Sequence, residues 1–188
     1  MEGTQEASDQ GLLAAHRQGD PRAFEVLFRR HQGALYRHVV RMLGDPAAAE
    51  DIVIEAFHRL HAHRDRLRPE AAVRPWLYTV ANNLARNHRR AGRRLGRWLA
   101  LAAADPEHAA DEPAARMGSA DEVQRRVAAA FAALPRRQRE VCSLRLVADL
   151  PLEEIARVTG ASIGTVKSRL FYGQRRLRDL LVDVGGER

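Results

Sequence analysis

The chain has 188 residues, enough for one medium domain or two small ones, and 45% of them are hydrophobic, which suffices for helical cores. Its 31 basic and 24 acidic residues leave a formal charge of +7, which favours polyanionic partners; one cysteine, Cys142, excludes an internal disulfide and a cysteine-built zinc site. No apolar run approaches a membrane span and the opening MEGTQEASDQ is acidic where a secretion signal is basic, so a cytoplasmic protein is expected.

Val and Ile are sparse beside Ala, Leu and Arg, and apolar residues recur with a period of about 3.6, which predicts an all-α fold with no strands. Leu12, Leu13 and Ala15 open with a short helix closed by Gly19. Asp20 and Pro21 restart the chain into a long amphipathic helix carrying Phe24, Leu27, Phe28, Leu35, Val39 and Leu43, with Gly33 a candidate bend and Gly44 the stop. From Pro46 to His63, Ala49, Ile52, Val53, Ala56, Phe57 and Leu60 form a buried stripe. Opposite lie Asp51, Ile54, Glu55 and His58. An isoleucine bracketed by carboxylates gains nothing from water and fits better against another protein.

Arg64 to Arg74 reads as a basic loop, and a helix from Pro75 buries Trp76, Leu77, Val80, Ala81, Leu84 and Ala85. Its other side presents Asn82, Asn83, Arg86, Asn87, Arg89 and Arg90, amides for base edges followed by guanidinium groups for phosphates. Trp98 to Ser119 turns to Ala, Pro and acid, and reads as a linker. Charge follows the same division: residues 1–97 carry 17 basic and 11 acidic side chains, 98–119 carry 1 and 4, and 120–188 carry 13 and 9. Two basic modules thus flank an acidic connector.

The second module begins with a helix through Val123, Val127, Ala130, Phe131 and Leu134, and Pro135 starts the next. PLEEIARVTGASIGTVKSRLFYGQRRLRDLL then reads as two helices joined by a tight turn, stopped at Gly160 and restarted by the cap Ser162. Ile163, Val166, Leu170, Leu177 and Leu181 are spaced to face inward. Outward lie Ser162, Thr165, Lys167, Ser168, Arg169, Tyr172, Arg175 and Arg176, a polar and basic surface suited to phosphates and base edges in a major groove.

EEIA, the Gly160 turn and GTVKSRL, preceded by LPRRQREVCSLRL, closely resemble the C-terminal promoter-binding domain of bacterial sigma factors of the extracytoplasmic-function group. AEDIVIEAF resembles that family's polymerase-clamp helix, and RPWLYTVANNLARNHRR its segment that captures the melted minus-ten strand. The resemblance implies a region 2-like domain over 1–97, a flexible acidic linker over 98–119 and a region 4-like helix-turn-helix domain over 120–188. It implies core RNA polymerase, promoter DNA as duplex and melted strand, and an anti-sigma factor as partners. Asp51, Ile54, Glu55 and His58 would meet the polymerase. Asn82 to Arg90 would hold the minus-ten strand, and the surface from Ser162 to Arg176 the minus-thirty-five duplex. The chain departs from the family at Ile54, where Gln is usual, at Asn82, where Arg is commoner, and at Tyr172 and Gly173, where Arg-Ala is frequent.

No convergent nucleophile, base or ligand set marks an enzyme, and no cofactor is implied. Glu55 and His58 match the Glu-x-x-His spacing of di-iron bundles, but the motif occurs once where such a site needs two copies. A conventional operator-binding regulator shares the helix-turn-helix, as response-regulator output domains do, but leaves residues 46–97 without a role. A helical enzyme is the third reading, for which no site is found.

Overall fold

The structure, a computed structural model, describes residues 7–67, 72–102 and 119–182. Eight α-helices occur among them: α1 (Asp9–Arg17), α2 (Pro21–Leu43), α3 (Pro46–His63), α4 (Val73–Ala102), α5 (Ser119–Ala133), α6 (Arg136–Leu146), α7 (Leu152–Thr159) and α8 (Ile163–Val182), with a 3-10 turn at Arg64–Arg66. The starts are built from short polar side chains that satisfy otherwise unpaired amides. Ser8 accepts from the Gly11 amide, Asp20 from Arg22 and Asp45 from Ala48. Gly44 and Gly160 take left-handed backbone at the ends of α2 and α7. α2 runs helical through Gly33.

Around α1 to α4 the core gathers Leu12, Leu27, Leu35, Val39, Phe57, Leu60, Leu77 and Tyr78, each nearly or wholly buried. The stripe expected on α3 is buried throughout. Pro75 falls in the first turn of α4, where a missing N–H is harmless, so the helix starts at Val73. At its other end α4 continues to Ala102, past the expected linker boundary. Residues 103–118 of that linker, and residues 68–71 of the basic loop, lie outside the described residues.

In the second half, Ala130, Phe131, Leu134, Cys142 and Leu177 form a small core of their own. Val141, Leu144, Leu150, Ile155, Val158 and Val166 instead join the core of α1 to α4, so one apolar interior spans both halves. The reason sits in α6, where Glu140, Val141, Cys142, Ser143 and Leu144 are consecutively buried. A helix enclosed on all sides has neighbours on all sides, here α8 behind it and α2 in front. One inward assignment needs correcting: Ile163 is 40% exposed, because it stands in the first turn of α8, ahead of the residues that reach the core.

Candidate functional site

The α3 face stands clear of both cores. Asp51 and His58 are exposed, Ile54 is 62% exposed, and Glu55 pairs with Arg59 at 2.7 Å and with His58 at 3.7 Å. Ile54 and Val53 form one wall of an apolar hollow of about 400 Å³, whose other wall is Phe28, Gln32 and Tyr36 of α2. The α2 residues escaped sequence reasoning, since only the pairing of α2 with α3 brings them beside Ile54. Exposed isoleucine over an apolar hollow, flanked by two carboxylates, is the chemistry of a protein-docking surface.

On α4 the expected nucleic-acid stripe is divided. Asn83, Asn87 and Arg90 are exposed, whereas Asn82 is 1% exposed. Its Oδ1 accepts from His38 Nε2 of α2 at 2.9 Å, and its Nδ2 has no partner. Because that oxygen only accepts, His38 carries its proton on Nε2 and its Nδ1 takes the Ser143 hydroxyl of α6 at 2.8 Å. Arg86 bonds Glu140 of α6 at 2.5 Å, and Arg89 donates to the Met42 carbonyl at 3.3 Å. Thus Arg86 directly, and Asn82 through His38, tie α4 and α2 to α6 of the other half, while the Arg89 bond stays within the first half; Asn82 cannot touch a base in this arrangement.

The seam is polar but not charged at its centre. His38 is wholly buried, and burial first, then the nearby Arg41, pulls its pKa down to about 4, so it is neutral there. Arg41 lies over the Phe131 ring at 5.4 Å, a further tie between the halves.

On α8, Ser162 caps the helix by accepting from the Thr165 amide at 3.2 Å. Lys167, Ser168, Tyr172, Arg175 and Arg176 are exposed, and Thr165 and Arg169 are partly so. The turn with Gly160 stops α7 so that α8 leaves at an angle with this basic surface outward. Where α4, α6 and α8 meet, a polar cleft of about 510 Å³ brings Arg86 and Arg90 together with Arg169 and adds Arg136 and Arg137. The last two were missed in the sequence, where they look like an ordinary basic helix start.

Residues 27–95 match the family described as Sigma-70 region 2, and residues 130–179 match Sigma-70, region 4. The chain is 34% identical to the RNA polymerase sigma-H factor of Pseudomonas aeruginosa, an alignment covering 93% of each chain. It is 30% identical to the ECF RNA polymerase sigma-E factor of Haemophilus influenzae, over 93% of this chain and 96% of that one. The chain belongs to the extracytoplasmic-function RNA polymerase sigma factors. Its fold is shared by the sigma factor RpoE in complex with the anti-sigma factor NepR from Bartonella quintana, with a TM-score of 0.68 and 26% identity, covering 88% of this chain and 98% of that one. CnrH in complex with the cytosolic domain of CnrY has the same fold, with a TM-score of 0.71 and 24% identity over 93% and 97% of the chains.

In this sigma factor, therefore, region 2 occupies α2 to α4 and region 4 runs from the end of α5 through α8. The seam formed by His38, Asn82 and Ser143 is one of the contacts between the two regions, beside those of Arg86 with Glu140 and Arg41 with Phe131. No described helix is long and apolar enough to cross a membrane.

Proposed function

We propose that this sigma factor joins core RNA polymerase through Asp51, Ile54, Glu55 and His58 of α3, brings it to specific promoters and promotes strand opening there. Region 4 enters the minus-thirty-five major groove with the surface from Ser162 to Arg176. Region 2 holds unpaired minus-ten bases with Asn82, Asn83, Arg86, Asn87, Arg89 and Arg90 once the halves part, amides reading base edges while guanidinium groups grip the backbone. RNA synthesis belongs to the polymerase, so the chain works without catalysis or cofactor of its own, in the cytoplasm. An anti-sigma protein completes the set of partners, in line with RpoE of Bartonella quintana, solved with one.

The observation that carries this reading is the coexistence, in one chain, of regions 2 and 4 with an exposed Ile54 face and two basic surfaces. A conventional operator-binding regulator has no use for the region 2 match over residues 27–95. The test compares transcript starts made by core polymerase with and without the protein. New starts at a defined sequence are expected, and an unchanged set of starts refutes the reading. In a co-purification assay Asp51→Ala with Glu55→Ala weakens binding to core polymerase while duplex promoter affinity holds; unchanged polymerase affinity removes the α3 face from the interface.

A further inference from the structure

Positive charge is crowded where region 2 meets region 4. Five guanidinium groups, from Arg86, Arg90, Arg136, Arg137 and Arg169, line one cleft together with a single carboxylate, Glu140. Glu140 is already engaged by Arg86 at 2.5 Å. Among the described residues the other four arginines have no ion pair. The strain of like charges reaches beyond the cleft lining: Arg89 is held below its ordinary pKa by burial and then by Arg93 and Arg136, and Arg139 by burial and then by Arg89. Closing the halves therefore brings cations of α4 against cations of α6 with too little negative charge between them.

We infer that this cleft is a binding site for a small polyphosphate, assembled only when the two regions are closed on each other. Guanidinium groups offer paired donors that match phosphate oxygens, and the first turn of α8 adds the Ser162 and Thr165 hydroxyls at the same opening. A recess of about 510 Å³ is on the scale of a small-molecule site. The ligand chemistry is the phosphate chain itself, whether inorganic or carried by a nucleoside. Since its contacts come from both regions, the ligand binds the closed form and not the open one, and so stabilises closure. If α4 and α8 face DNA as proposed above, the occupant also withholds Asn82 and Arg169 from the promoter.

The full chain is titrated calorimetrically with inorganic tripolyphosphate, and with adenosine and guanosine triphosphates to learn whether a nucleoside adds affinity. Arg136→Ala with Arg137→Ala is expected to weaken tripolyphosphate binding by about tenfold or more, the loss of two charge-assisted donors. Arg22→Ala with Arg29→Ala removes the same charge from exposed positions on α2 and is expected to leave it unchanged within about twofold. Equal weakening by both pairs overturns the proposal, because diffuse charge then suffices. Saturating tripolyphosphate also slows amide hydrogen exchange over residues 140–144 of α6, which the closed seam covers. Binding without that slowing overturns the bridging role. No binding of tripolyphosphate, with duplex affinity lost in the Arg136 and Arg137 variant, overturns the site and makes the cleft an extension of the DNA face. None of these readings involves core polymerase, so failure here is distinct from failure of the proposed function.

Discussion

Gly173 leaves α8 no room for a side chain against α6. A Cβ at that position would fall well inside van der Waals contact of Cys142 Sγ and within 3.4 Å of Gln138 Cβ. From the sequence alone Gly173 costs a helix about 0.5–1 kcal/mol relative to Ala; the packing explains why that cost is borne. Gly173→Ala should lower stability by about 1–3 kcal/mol in urea unfolding, as overpacking does. Adding Cys142→Ala frees the space taken by the sulfur and should restore much of the loss, and strictly additive effects would contradict this account. His38 supplies a pH dependence of definite sign. Its pKa of about 4 in the folded protein lies below the ordinary 6.5, so the unfolded chain binds the extra proton. The contribution is constant above pH 6.5 and falls as pH drops toward 4, by at most about 1.4 kcal/mol per pH unit. His38→Gln should flatten that part of the stability curve, measured by urea unfolding at a series of pH values. An unaltered slope would mean that other groups set the acid response.

Among the elements, those with one buried face were legible in advance. α3 buries Ala49, Ile52, Val53, Ala56, Phe57 and Leu60 as their spacing requires, and Gly44, Gly160 and Ser162 cap the ends they were read to cap. What could not be read is any feature fixed by a partner element. α6 shows little amphipathic pattern because Ser143 and Glu140 are buried beside Val141 and Leu144, each serving a different neighbour. The seam likewise reassigns Asn82, an apparent base reader in sequence, to a bond with His38. Arg136 and Arg137 join a site only through residues of α4 and α8. For α8 itself, periodicity places Arg169 on the outward surface one turn beyond Thr165. Arg169→Ala should relax base preference at one minus-thirty-five position, at a cost of about 1–3 kcal/mol in a binding-site selection assay. A loss uniform across sequences would instead assign Arg169 to a phosphate.

At the scale of the whole molecule, the two regions share one apolar interior, sealed by polar contacts that also occupy residues proposed to bind DNA. On the proposed assignment of Asn82 and Arg86 to the minus-ten strand, closure and minus-ten binding compete. Glu140→Ala removes the carboxylate that Arg86 holds across the seam and should destabilise closure by about 1–3 kcal/mol, leaving each region's own core intact. The variant should bind an unpaired minus-ten oligonucleotide more tightly than the parent in fluorescence anisotropy. Equal or weaker binding would show that the seam does not limit access.

Cys142 is wholly buried beneath Gly173, and burial raises its thiol pKa to about 11. The shielded sulfur, kept protonated in the fold, presents no thiolate to a mild oxidant. It also makes alkylation by a thiol reagent a ready gauge of how often α6 and α8 come apart.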